Sequence, residues 1–241
     1  MRYRGLALAA VLLVGGCGGG KDDSASPPET AEAQDPLSAG DASAAPSEAP
    51  AEPMGRKVEA STDLYEFSFA YPDAAGAIPG LKELLDGRLA RARSELATSA
   101  REDQQSAKAE GYPFNPHSFG ATWAVVADLP DWLSLSAEIY TFSGGAHGMS
   151  QFDTLLWDRR TATARRPRDL FASVEALRDA IRDPFCDALD AEREKRRGEP
   201  VERDGDQMFS ECIDPVAQTL LLGSSNGRTF DRIGLLVAPS E

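Results

Sequence analysis

The sequence predicts an α+β fold, an antiparallel sheet packed with a long amphipathic helix and a second helix. Three observations carry this. Residues Leu64 to Tyr71 alternate, with Tyr65, Phe67, Phe69 and Tyr71 on one face and Glu66 and Ser68 on the other, which is the pattern of a half-buried strand. A leucine stripe follows, Leu81, Leu84, Leu85, Leu89 and Leu96, at spacings near three and four, as on the buried face of a helix. Beyond it, alternating segments joined by short links imply an antiparallel meander.

Taken in order, the folded part is expected to begin near Ala60. Pro79 suits the first turn of the long helix, which should run to about Ala109 and stop at Gly111. Gly111 to Phe119 reads as an aromatic and proline-rich loop containing Tyr112, Phe114, Asn115 and His117. Two strands are expected at Thr122 to Ala127 and Leu133 to Phe142, separated by turn-forming Asp128, Pro130 and Asp131. Ser150 to Asp158 is the next strand, and Asp158-Arg159-Arg160-Thr161 a turn into a short strand up to Arg166. Ser173 is placed to cap a second helix with Leu177, Ile181, Phe185 and Leu189 inward, and Pro184 should kink or divide it. The charged segment Glu192 to Asp206 reads as a solvated loop, Met208 to Leu222 as helix or irregular structure, and Phe230 to Ala238 as a final strand.

The N-terminal stretch has its own logic. Arg2 and Arg4 precede an apolar run from Leu6 to Val14, followed by Gly15, Gly16 and Cys17. A run this short is a secretory signal rather than a mature membrane span. Val14-Gly15-Gly16-Cys17 resembles the lipobox of bacterial lipoproteins, which implies cleavage after residue 16 and diacylation (palmitate or a related chain) of the Cys17 thiol. The membrane is then a partner through that lipid, and Gly18 after the cysteine points to the outer membrane facing the periplasm in a Gram-negative cell. Residues 18–58 are rich in Ala, Pro, Ser, Gly and acids, a composition that cannot offset its conformational entropy and reads as a disordered tether. Stretched at about 3 Å per residue, it would hold a domain of residues 59–241 on the order of 100 Å from its anchor. A formal charge of -14 argues against nucleic acid, whose phosphates need clustered Lys and Arg. Cys186 and Cys212, in an exported domain, are expected to form a disulfide worth roughly 3 kcal/mol; their spacing offers no CxxC pair for zinc.

The candidate site is the strand connection Tyr140-Thr141-Phe142-Ser143-Gly144-Gly145-Ala146-His147-Gly148. Its glycines supply conformations that other residues avoid and leave the backbone open to a ligand. Tyr140, Gly144, Gly145, His147 and Gly148 are therefore the expected binding residues. Catalytic and metal readings compete. In the first, His147 acts as base with Ser143 or Ser150 as nucleophile and Asp153 as orienter; in the second, His147 and His117 join Glu138 around a metal. There is no Gly-x-Ser-x-Gly elbow and no HExxH arrangement, so no catalytic residue, metal or cofactor is expected. His147 reads first as an organiser of its loop.

The residues also carry a family resemblance. Phe69-x-Tyr71-Pro72, a long helix, two strands, the Gly144-Gly145-Ala146-His147-Gly148 string, Trp157-Asp158 and Asp169-Leu170-Phe171 resemble the extracellular domain of a lysozyme-sensing anti-sigma factor (RsiV-like). Related domains accompany a peptidoglycan deacetylase. The resemblance spans roughly Ala60 to the end and implies an exported α+β module that binds a lysozyme-like protein or peptidoglycan, with no catalysis of its own. The anti-sigma role is not implied, because the chain has no retained span or sigma-binding segment. Members usually continue past Ile233 to Pro239 with another strand, so the resemblance also implies a domain short at its C-terminus.

Overall fold

The structure is a computed structural model that describes residues 54–203 and 210–238. The expected signal peptide, the expected lipidation site Cys17 and the stretch read as tether up to residue 53 lie outside the described residues.

Six strands form the main sheet in sequence order: β1 (Arg56–Ser61), β2 (Tyr65–Tyr71), β3 (His117–Asp128), β4 (Trp132–Phe142), β5 (Met149–Asp158) and β6 (Thr163–Arg165). All neighbours are antiparallel except β2 and β3. After β2 a single turn, α1 (Asp73–Gly76), leads into α2 (Pro79–Glu110). The crossover by α2 makes the β2–β3 pair parallel, since a strand that returns over a long helix re-enters in the same direction. Gly111 ends α2 in the left-handed conformation, and its N–H donates to the Ala107 carbonyl.

Alternation decides which face each strand residue takes. Tyr65, Phe67, Phe69 and Tyr71 of β2, Ala121 and Trp123 of β3, Leu133, Leu135 and Ala137 of β4, and Leu155 and Trp157 of β5 pack with Leu81, Leu85, Leu89 and Ala100 of α2 in one core. A second core forms on the opposite face around Leu156. There α3 (Val174–Arg197) contributes Leu177 and Ile181, and a separate hairpin of β7 (Thr219–Gly223) and β8 (Arg232–Leu236) contributes Leu220, Leu222 and Ile233. The cores lie on opposite faces because β5 offers Leu155 and Trp157 to one and Leu156 to the other.

The α+β class, the long helix and the β3 to β6 meander stand as expected. Several local expectations are corrected. A strand, β1, begins at Arg56, inside the stretch read as tether; its only inward residues besides Arg56 are Val58 and Ala60, opposite Phe69 and Phe67, too small to signal a strand alone. His117 to Phe119 are strand, not loop, paired with Tyr65 to Phe67. Glu192 to Arg197 are the last turns of α3, since their charges pair along the helix, Arg196 with Glu192 for example. Pro184 does not divide α3. The segment after residue 209 holds a 3₁₀ turn (Pro215–Ala217) and β7, and the final strand spans Arg232–Leu236 only. Ser173 caps α3 as expected, its hydroxyl accepting from Ala176 N. Cys186 and Cys212 are joined in a disulfide. Among the described residues no helix is long and apolar enough to cross a membrane.

Candidate binding surface

The hairpin between β4 and β5 is built by two loops meeting. Gly144 adopts φ +81°, where an L side chain is strained, and its carbonyl accepts a 3.0 Å hydrogen bond from Asn115 Nδ2. Behind it stands His117, 1% exposed, with Nε2 3.0 Å from Asp103 Oδ2 of α2 and its ring beside Phe114. A Cβ on Gly144 would lie 4.0 Å from that same Nε2. His117 is thus a buried brace under the glycine loop, tied to the helix.

His147 is exposed, and its Nδ1 lies 3.2 Å from the carbonyl oxygen of the adjacent Gly148. Asp153, the orienter of the catalytic reading, is held by Arg88 at 2.7 Å and accepts from Thr154 N. The contacts do not join His147 to Asp153 or to His117. Among the described residues no group of three or more His, Cys, Asp or Glu is placed to hold a metal ion.

The structure does bring Tyr140 and Gly148 together. Tyr140 is 46% exposed and its ring lies against Gly148, so that a Cβ there would collide with the phenol. On the neighbouring strand Tyr140 faces Gly120, which faces Ser68; a Cβ on Gly120 would sit 3.1 Å from Ser68 Oγ. Register therefore sets one row across the sheet, Glu59, Ser68, Gly120, Tyr140 and Ser150, and beside it a second, Lys57, Ala70, Thr122, Glu138 and Phe152. These rows are on the face opposite α2, and Thr122, Glu138 and Tyr140 are exposed on it. Ser68, Ala70, Gly120 and Thr122 keep the middle of these rows low beside Tyr140, with Lys57, Glu59, Glu138 and Phe152 around them. Gly145, by contrast, has open space around it.

Beside the expected Tyr140, Gly144 and Gly148 the structure places Ser68, Gly120, Thr122 and Asn115, which are not among the binding residues expected from the sequence. A usable signal was present, since Ser118, Gly120, Thr122 and Ala124 are small residues on alternate positions of one strand. Asn115 gave none, because its partner is a carbonyl 29 residues away.

The family model described as "Deacetylase PdaC" matches residues 58–150, which hold β1 from Val58 onward, β2 to β4, α2, the glycine hairpin and the start of β5. The matched stretch is less than half of the chain, and it agrees with the deacetylase-associated part of the resemblance. Among solved structures, a DUF3298 family protein from Pseudomonas aeruginosa PAO1 is similar at 17% identity, covering 58% of this chain and 72% of its own, with a TM-score of 0.39. A member of the same family from Bacteroides fragilis NCTC 9343 is similar at 16% identity over 58% of this chain and 68% of its own, with a TM-score of 0.36. No curated protein matches.

Proposed function

We propose that the chain is a cell-envelope binding module, held at the outer membrane by lipid on Cys17, that takes a lysozyme-like protein or peptidoglycan on the sheet face around Tyr140. The observation that carries the reading is the exposed aromatic ring standing over a row of small and hydroxyl residues, beside a hairpin braced by Asn115 and His117. An exposed aromatic with hydroxyls beside it suits either ligand: its ring gives apolar contact area and its hydroxyl a polar handle. The overall negative charge suits a cationic protein partner. The module works by binding rather than by catalysis. In support, His117 is closed on Asp103, and Asp153 is engaged by Arg88.

The test is calorimetry of the full chain in detergent with lysozyme and, separately, with a soluble muropeptide. Saturable binding of one of them is expected, weakened at least about tenfold by Tyr140→Ala, roughly 1.4 kcal/mol, with an unchanged circular dichroism spectrum. Absence of binding to both removes the proposal. Turnover on a glycan or ester panel that is lost in His147→Ala would replace it with a hydrolase reading.

A further inference from the structure

A second site lies where the main sheet stops being paired. β5 spans Met149–Asp158, but β6 pairs only with Leu156, Trp157 and Asp158. From Met149 to Leu155 the outer edge of β5 has no partner strand among the described residues. The reason is local: the chain leaves β6 after Arg165, and Pro167, which has no N–H for a ladder, opens the 3₁₀ turn Pro167–Leu170.

A groove of about 200 Å³ runs beside this open edge, bounded by Phe152 to Thr154 of β5, by Arg166 to Arg168, by the start of α3 and by Val216 to Leu220. Leu177, Val216 and Leu220 make part of it apolar, and Thr154, Gln218 and the two arginines make the rest polar. The charges lining it do not cancel. Asp153 is the one acid in the lining, and it is paired with Arg88. Arg166 is bound through two nitrogens to Asp169. Arg168 is exposed, and its charge acts on the adjacent Asp169, whose oxygens are already taken by Arg166. In a chain with formal charge -14, Arg166 and Arg168 with the single acid Asp169 therefore leave a net positive charge beside an open strand edge.

An open edge of this kind pairs readily with an extended segment, and an exposed guanidinium is the group best shaped to take a carboxylate through two parallel hydrogen bonds. We propose that the groove binds the free carboxylate end of an extended peptide, which adds as a strand to β5 between Met149 and Leu155 while Arg168 holds the carboxylate. The Thr219 hydroxyl donates to the Phe152 carbonyl at 3.3 Å, a long contact that the peptide backbone would displace or run beside. The groove adjoins the face around Tyr140, since Ser150 and Phe152 end its two rows, but the carboxylate is held by Arg168, which belongs to neither row, so Arg168→Gln tests this site apart from that face.

The probe is the peptide acetyl-Thr-Val-Thr-Val-Ala as the free acid, with its C-terminal amide and inorganic phosphate for comparison, titrated into the full chain in detergent and followed by hydrogen exchange. The free acid should bind at least about tenfold more tightly than the amide and slow exchange at Met149 to Leu155. Arg168→Gln should erase that difference and leave the amide unchanged. No binding of the acid, equal binding of acid and amide, or protection unaffected by Arg168→Gln overturns the proposal. So does phosphate reproducing the whole effect, which would leave an anion site without strand addition. Concentration-dependent protection of the same edge without peptide overturns it in favour of a second copy of the chain.

Discussion

Asp86 accepts hydrogen bonds from Lys82 on its own helix, from Arg56 at the start of β1 and from the Tyr71 hydroxyl at the end of β2, at 2.6 to 2.8 Å. Burial alone would raise its pKa, but these donors outweigh it and hold the carboxyl at about 2, below its ordinary 3.8. A carboxylate whose folded pKa is depressed contributes stability above its unfolded pKa and loses it as pH falls through the folded one. The contribution, on the order of 2 kcal/mol, should thus be complete above about pH 5 and disappear between there and pH 2. Acid titration of Asp86→Asn, followed by circular dichroism, should show a flatter stability profile in that window. In the hairpin, Gly144→Ala forces a side chain into φ +81° and should cost about 1 kcal/mol in denaturant melts. Gly148→Val should displace the Tyr140 ring and weaken ligand binding with little loss of stability. Gly145→Val, expected from the sequence to disturb binding, has open space and should be silent. His117 shows the limit of residue-scale reading: a lone histidine in a sequence does not reveal whether it is 1% exposed and braced by Asp103 or, like His147, on the surface.

At the scale of elements, α3 is fastened to the segment that follows it by three unlike contacts. The Cys186–Cys212 disulfide closes a separation of 26 residues, Arg178 grips Asp214 through two nitrogens at 3.0 Å, and buried Arg193 donates to the Glu211 carbonyl at 2.8 Å. Together they set where β7 begins. Replacing both cysteines by serine should lower stability by about 3 kcal/mol, measured by urea unfolding. Pro184 is exposed inside a continuous helix, where it deletes one backbone hydrogen bond. Packing of Leu177 and Ile181 before it and Phe185 after it keeps α3 whole, which is why a proline that should break a helix in sequence does not. Pro184→Ala should accordingly raise stability by about 1 to 2 kcal/mol, the helix gain offset in part by a more flexible unfolded chain. β1 is the converse case, a strand with little pattern of its own that forms because β2 offers an edge.

Over the whole molecule, one sheet is covered by α2 on one face and by α3 with the β7–β8 hairpin on part of the other, and the uncovered part bears Tyr140. If charge steers a cationic partner to this acidic chain, its affinity should fall severalfold between about 0.05 and 0.5 M salt in the same calorimetry; salt independence would point to the aromatic contact alone. The sequence by itself determined the period-two strands, the leucine face of α2, the stop of α2 at Gly111 and the start of α3 at Ser173, the disulfide and the glycine hairpin, because each is written in neighbouring residues or in a pair of rare ones. The lipobox and the tether are expectations from local composition that lie, up to residue 53, outside the described residues. Tertiary structure alone decided that β2 and β3 run parallel, that Ser68, Gly120 and Tyr140 form one row, that His117 and His147 part company, and that β5 keeps an open edge beside Arg168. Those features depend on register and crossover between distant segments, and a one-dimensional pattern contains neither until the strands have paired.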